Sequence, residues 1–298
     1  MRVAVVVTVK NEEADILKFL RAIEFQRRKP DLLVLTVADS SDKTTQIILD
    51  WAALTTLKTE IDYVDGNRSM GRNLGIQHAR RVGAEIVVLT NVCEPLTYWL
   101  EILVKPIEDR LADAVGGSWM LDTRSAREDA MGLLTQYSPE QFDETRISAL
   151  NMAVDAPVFD DIGMFDPELD TSEDSEFVRR LVDHSHWVFV EPDAVVVWRP
   201  ATLTLRGAAK VYFQFAKTDR KAGIAKGQYL MTGLVYLTVG ALAVVTSPLA
   251  LLTLGTWLGF RARKVIADER LLSEVPFALM AAFVLDWARL VGYAAGHS

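Results

Sequence analysis

The chain has 298 residues, a formal net charge of −8, a pI near 5.2, half its residues hydrophobic and a single cysteine, Cys93. A chain of this length buries a sizeable core, and its acidic balance excludes the basic surface that nucleic acid selects. One cysteine excludes both an internal disulfide and a multi-cysteine zinc site.

The opening MRVAVVVTVKNEE is too short and too β-branched in its apolar run for a signal peptide, and ends in Lys-Asn-Glu-Glu rather than small residues. Val3–Val9 is therefore expected to be a strand covered on both faces. Ile16, Leu17, Leu20 and Ile23 recur at helical spacing within Glu12–Phe25. Next come a strand over Leu32–Ala38 ending in Asp39-Ser40-Ser41-Asp42, a helix over Thr44–Leu57 and a strand over Glu60–Val64. A helix over Met70–Val82 and a strand over Glu85–Thr90 complete the series. Strand–helix alternation with polar strand ends predicts a doubly wound α/β domain, its strand ends gathered along one cleft. Further strands are expected at Ala114–Trp119, Trp187–Val190 and Ala194–Trp198.

Beyond this point the character changes. Lys210, Lys217, Arg220, Lys221 and Lys226 interleave with Val211, Tyr212, Phe213, Phe215 and Ile224, the make-up of a helix lying on a membrane surface. From Gly227 to Phe260 no side chain is charged. As one straight helix that run would reach about 50 Å, against ~30 Å of hydrocarbon. Ser247-Pro248 sits near its middle, where a proline breaks a helix. With basic residues before the run and Arg261-Ala262-Arg263-Lys264 after it, a hairpin keeps both basic segments on the cytoplasmic side. A third apolar stretch, Val275–Tyr293, carries Asp286 and Arg289 on one face; they pair within the bundle or face the interface. The expected division is an α/β domain over 1–205, a basic interface helix over 206–228 and membrane helices, a hairpin plus a third, over 229–298.

Several strand ends carry polar sets. Lys10-Asn11-Glu12-Glu13 and Asp39-Ser40-Ser41-Asp42 read individually as helix caps. Arg68, Arg72, Asn67 and Asn73, set among glycines at the opening of a helix, read as an anion cradle. No G-x-G-x-x-G follows the first strand, which argues against a dinucleotide-dependent oxidoreductase. His78, His184 and His186 show no metal-ligand spacing and are read as structural or surface residues.

In order and spacing, KNEEADILKFLRAI, VADSSDKT, GRNLGIQHA, Asn151-Met152-Ala153-Val154, IGMFDPEL and TSEDSEFVRRL resemble the family 2 inverting glycosyltransferases of GT-A fold. The likeness covers about Val3 to Pro200, and the tail resembles members with a C-terminal membrane hairpin. It implies that Asn11, Glu13 and Asp39 line a nucleotide pocket and that Arg68 and Arg72 lie beside base or phosphates. It implies further that Asp174 is the general base and that Glu173 positions it. The family keeps Asp-x-Asp on Mg²⁺ or Mn²⁺ where this chain reads VVLTNVCEP. Asn91 and Cys93 stand at the acidic positions, or Thr90 and Val92 with the alignment shifted by one, with Glu94 the remaining carboxylate. An uncharged amide and a thiol are poor partners for a hard cation, so the metal is expected to be weak or absent and its identity unknown.

The expectation is a multi-pass membrane enzyme with a cytoplasmic catalytic domain. It would move a sugar from a nucleotide-diphosphate donor to a lipid-linked or cell-envelope glycan acceptor. The altered metal motif supports a rival, a membrane-tethered pseudoenzyme that binds nucleotide sugar or a partner without transfer.

Overall fold

The computed structural model describes residues 1–135, 147–223, 226–245 and 247–296. The chain divides into two units. One comprises Met1–Met120 and Pro139–Trp198, the other Leu121–Ser138 and Arg199–Ser298. The division thus falls before residue 205, and the segment 121–138 groups with the C-terminal helices.

In the first unit the β-branched runs are strands, as expected: β1 (Val3–Val9), β2 (Leu32–Ala38), β3 (Thr59–Val64) and β4 (Ile86–Thr90). β1 pairs in parallel with β2 and β4, and β2 with β3. Between them lie α1 (Ile16–Glu24), α2 (Thr44–Ala52) and α3 (Arg68–Arg81). α1 starts later than the sequence pattern suggests. Asn11 adopts a left-handed backbone (φ 55°), and a turn closed by Asp15 N–H on the Glu12 carbonyl precedes the helix. Asparagine tolerates that conformation better than most residues. α2 ends earlier than its pattern, where Thr55 turns aside to hydrogen-bond Glu24 and caps the Leu57 N–H.

After β4 the sheet departs from the expected doubly wound, parallel form. β5 (Glu94–Pro95), α4 (Trp99–Glu108), β6 (Ala114–Leu121), β7 (Asn151–Asp155), α6 (Val158–Asp161), α7 (Glu173–Asp183) and β8 (Val188–Trp198) follow; α5 (Ala126–Thr135) belongs to the second unit. Among the described residues eight strands form one mixed sheet in the order β3-β2-β1-β4-β7-β6-β8-β5. β7 runs antiparallel to both β4 and β6, with Thr90 opposite Asn151. β8 is one strand where two short ones were expected. The consequence is local: β4 ends and β7 begins at the same edge, so the segment entering β7 arrives beside the residues leaving β4.

Asn151, fully buried, locks this half of the sheet. Its amide donates to the carbonyls of Ser118 and Ala194 (2.8 and 2.7 Å) and accepts from Trp99 Nε1 (2.7 Å). Gly117 has to be glycine, because a Cβ there would lie 2.3 Å from that amide. A buried cluster including Val6, Val34, Val87, Met152, Phe159 and Phe177 packs one sheet face against the helices. At ~25 cal/mol per Å² of apolar surface, such burial is the main favourable term of the fold.

The second unit is helical: α5, α8 (Leu205–Ala222), α9 (Lys226–Val245), α10 (Ser247–Arg261), α11 (Arg263–Ala267) and α12 (Val275–Ala295). The basic helix expected over 206–228 is α8, which ends at Gly223 (φ 69°), a left-handed stop suited to glycine. One face of α8 is not free. Ala208 and Tyr212 pack with Met131, Ala281 and Leu285. Gly292 lets the helices touch, since a Cβ there would lie 2.3 Å from the Phe213 carbonyl oxygen.

Asp286, 1 % exposed, does not pair with Arg289. Its carboxylate accepts from Trp257 Nε1 (2.8 Å) and Tyr236 OH (3.4 Å) and lies 3.2 Å from Arg261 Nε. Arg289 instead stacks over the Tyr212 ring at 4.0 Å. Among the described residues one helical segment, Glu269–Ala295, is long and apolar enough to cross a membrane, a test that a buried core helix also passes.

Candidate active site

The carboxyl ends of β1 and β2 are stitched together by the two acidic loops. Asn11 N–H donates to Ser40 Oγ (3.1 Å), and Asn11 Oδ1 accepts from Ser41 N–H (2.8 Å). Glu13 Oε2 accepts from Lys43 N–H (2.9 Å), while Glu13 N–H reaches Asp42 Oδ2 (3.2 Å). Asn11 and Glu13 therefore shape the pocket rim through loop contacts. Beside them an open cleft of about 420 Å³ is lined by Val37, Asp39, Ser40, Thr45, Tyr63 and Asp65, among others. Its place, outside the ends of β2 and β3, is where open α/β sheets receive ligands. Asp65 was missed in the sequence, yet it stands directly after its strand as Asp39 does after β2.

Glu12 was also passed over. Its half-buried carboxyl is pushed up to about 7, first by burial, then by the charges of Asp15 and Asp42, with Arg68 opposing. A cap reading drew attention to the ends of KNEE and away from the one acid that turns inward.

α3 carries the arginines. Asn67 caps it, accepting from Met70 N–H (3.0 Å). The glycines of GRNLG serve packing: Cβ atoms at Gly71 and Gly75 would lie 2.8 Å from Thr8 Cγ2 and 2.4 Å from Val6 Cγ1. They let α3 lie close on β1. Asn73 exchanges two hydrogen bonds with the Phe165 backbone (2.8 and 3.0 Å), which docks IGMFDPEL against the helix.

That docking brings α7 to the same edge. Arg72, 3 % exposed, donates through Nη1 to Glu173 Oε1 and through Nη2 to Asn91 Oδ1 (3.2 Å), and lies over the Phe165 ring. Burial lowers the Arg72 pKa, and the Glu173 carboxylate works against that shift. Two charges both removed from water persist only as a pair. Arg68 is half exposed and lies 3.8 Å from the same Glu173 oxygen. Asp174, the next residue, accepts from Ser148 Oγ (2.7 Å) through Oδ2 and from Ser175 N–H (2.9 Å) through Oδ1. Ser172 holds a left-handed backbone (φ 60°) just before α7, a conformation costing about 1–2 kcal/mol for a non-glycine residue. Such outliers concentrate at working sites. The site thus joins Arg68, Arg72, Asn91, Ser148, Glu173 and Asp174 from four separate segments.

VVLTNVCEP ends in committed side chains. Thr90 Oγ1 donates to the Leu150 carbonyl (3.0 Å) and sits 3.3 Å from Cys93 Sγ. Burial pushes the Cys93 thiol up to about 12. Glu94 pairs with Lys18 of α1 at 2.6 Å. The amide oxygen of Asn91 is occupied by Arg72, the thiol keeps its proton and the carboxylate has its own cation. These residues do not fit a hard divalent ion. Among the described residues no three His, Cys, Asp or Glu side chains converge as a metal set. His78 pairs with Asp62 (2.8 Å), His184 meets the Arg180 carbonyl, and His186 bridges Asp113 and Asp161.

The first unit thus combines a mixed sheet, a cleft at its parallel strand ends and a carboxylate pair at the start of α7. Residues 4–159 match the model of Glycosyl transferase family 2, and the chain belongs to that family. No curated protein sequence matches it. Among solved structures, the mannosyltransferase PcManGT from Pyrobaculum calidifontis, in complex with GDP-Man and Mn²⁺, superposes with a TM-score of 0.58 at 19 % identity, over 96 % of this chain and 87 % of that one. S. aureus TarS superposes with a TM-score of 0.53 at 14 % identity over 99 % of this chain, which spans 55 % of the TarS length. TarS 1–349 in complex with UDP-GlcNAc gives 0.52 at 14 % identity, covering 99 % of this chain and 91 % of that one. At such identities the likeness is one of fold.

Proposed function

We propose that the chain is an inverting glycosyltransferase. It takes a sugar from a nucleotide-diphosphate donor and delivers it to a lipid-linked or cell-envelope glycan acceptor. The observation that carries this reading is the Glu173-Asp174 pair, with Glu173 neutralised by Arg72 and Asp174 oriented by Ser148, at the same sheet edge as the Asp39–Asp65 cleft. Asp174 takes the proton from the acceptor hydroxyl. The oxygen then attacks the anomeric carbon on the face opposite the leaving group, and the nucleoside diphosphate departs with the electron pair of the broken C–O bond. Attack from that face inverts the anomeric configuration. Asp39 and Asp65 hold base and ribose in the cleft. Solved relatives in fold are described with GDP-Man and with UDP-GlcNAc, which is consistent with donors of this class.

The second unit is proposed to anchor the enzyme in the membrane through the α9–α10 hairpin and α12, with the catalytic unit in the cytoplasm. Large apolar side chains lie in the open on these helices, among them Leu237 (72 % exposed) and Leu251 (70 %). A patch of this kind marks a protein or membrane contact.

The test is transfer of radiolabelled sugar from UDP-, GDP- and dTDP-sugars to membrane lipid by the full chain in detergent. Donor binding with no transfer to any lipid or glycan fraction sinks the enzyme reading and leaves the pseudoenzyme, which the committed residues of VVLTNVCEP favour.

A further inference from the structure

The residues at the end of β4 bear on how a diphosphate is held. A donor diphosphate must be neutralised as it leaves, by a divalent ion or by fixed cations and amide donors. Three side chains stand where a metal would be held, and each is already engaged: Asn91 Oδ1 by Arg72, Cys93 in a buried contact with Thr90, Glu94 by Lys18. For an ion to bind, at least two of these contacts would have to break, and the only carboxylate gained would have to leave its 2.6 Å contact with Lys18.

We infer that this chain binds its donor diphosphate without a divalent ion and that Arg68, at the first turn of α3, supplies the cation. The inference rests on the nucleotide-sugar reading above. Arg72 cannot be the main contributor, because it is buried and both its terminal nitrogens are spent on Glu173 and Asn91. Arg68 is 49 % exposed in its side chain and only loosely tied, 3.8 Å from Glu173. Of the two arginines beside Glu173, Arg68 is the one that solvent and ligand reach. It stands on the first turn of a helix whose N-terminal N–H groups add about half a positive charge.

Calorimetry on the full chain in detergent tests this with UDP, GDP and dTDP, each in EDTA and in Mn²⁺, corrected for the Mn²⁺–nucleotide complex in solution. The expected result is one nucleotide whose Kd changes by less than about threefold between the two buffers. In EDTA, Arg68→Ala should weaken that nucleotide by about tenfold, roughly 1.4 kcal/mol, and Arg68→Lys should recover most of it. Thermal melts of both variants guard against a folding defect. Binding that is tenfold or more tighter in Mn²⁺ overturns metal independence, and an unchanged Kd in Arg68→Ala overturns the arginine. If none of the three nucleotides binds in either buffer, the nucleotide-sugar reading falls and this inference with it.

Discussion

Ser148 donates a 2.7 Å hydrogen bond to Oδ2 of Asp174, although the two residues enter the site from different segments, one ahead of β7 and one at the start of α7. Together with the Ser175 N–H bond to Oδ1, it sets the orientation of the carboxylate. Asp174→Asn should lower turnover by several orders of magnitude while donor affinity stays within about twofold, since the amide cannot accept the proton. Ser148→Ala should lower kcat about tenfold at unchanged donor KM, with Ser148→Thr restoring most of it, because a misaligned base costs rate rather than binding. Steady-state kinetics on the three variants decides both. Full turnover in Asp174→Asn removes that residue from the mechanism.

Arg72 is the structural keystone of the same edge. Arg72→Met leaves Glu173 buried with its near partner gone, and such a loss costs about 3–5 kcal/mol. Arg72→Lys should recover only part of it, because a single ammonium cannot reach Glu173 and Asn91 together as the guanidinium fork does. Thermal unfolding of the full chain in detergent, followed by tryptophan fluorescence, measures both.

Carboxylates placed where the family keeps them should create a metal requirement. In Asn91→Asp/Cys93→Asp, two added charges repel each other and the diphosphate until a hard cation arrives. The double variant should melt below the native chain in EDTA, regain stability in Mn²⁺ and bind donor only with the ion. Unaltered behaviour in both buffers would show that this turn does not face the diphosphate.

Glu12 makes stability depend on pH in a definite direction. Its carboxyl sits at about 7 in the folded chain against an ordinary 4.5, so the unfolded chain gives up its proton first. Its contribution to stability is therefore whole below pH 4.5, declines as pH rises towards about 7, and is level beyond. Glu12→Gln should flatten that segment of the stability–pH curve. A curve with the same slope in the variant assigns the dependence to other groups.

In the helical unit, Asp286→Leu strands Arg261 and the Trp257 N–H, and should loosen the packing of α9, α10 and α12 by about 3–5 kcal/mol. Arg289→Gln should cost no more than ~2 kcal/mol, the scale of one cation–π contact, because Arg289 stacks on Tyr212 and leaves Asp286 alone. Equal losses from the two substitutions would mean that Asp286 and Arg289 pair with each other. Cleavage of the detergent-solubilised chain by a limiting protease reports both.

What the sequence determined by itself is local. β-branched runs must be covered on both faces, so β1, β2 and β4 were legible within a residue of their ends, and each acidic strand end marked the cleft edge. The order of the short motifs was enough to place the family, because each motif lies within one strand–turn–helix step. The tertiary structure decided everything that depends on residues far apart meeting. Arg72 and Glu173 become partners only because Asn73 docks the 162–169 loop on α3. Ser148 reaches Asp174 only because β7 runs antiparallel beside β4, a reversal no local periodicity encodes. Gly71 and Gly75 are explained by the approach of α3 to β1, and the pairing of Glu94 by Lys18 across the turn. Local pattern reports what a segment needs to bury. Which charged group meets which is settled by the closure of the chain around that burial, so the site's electrostatics had to wait for the fold.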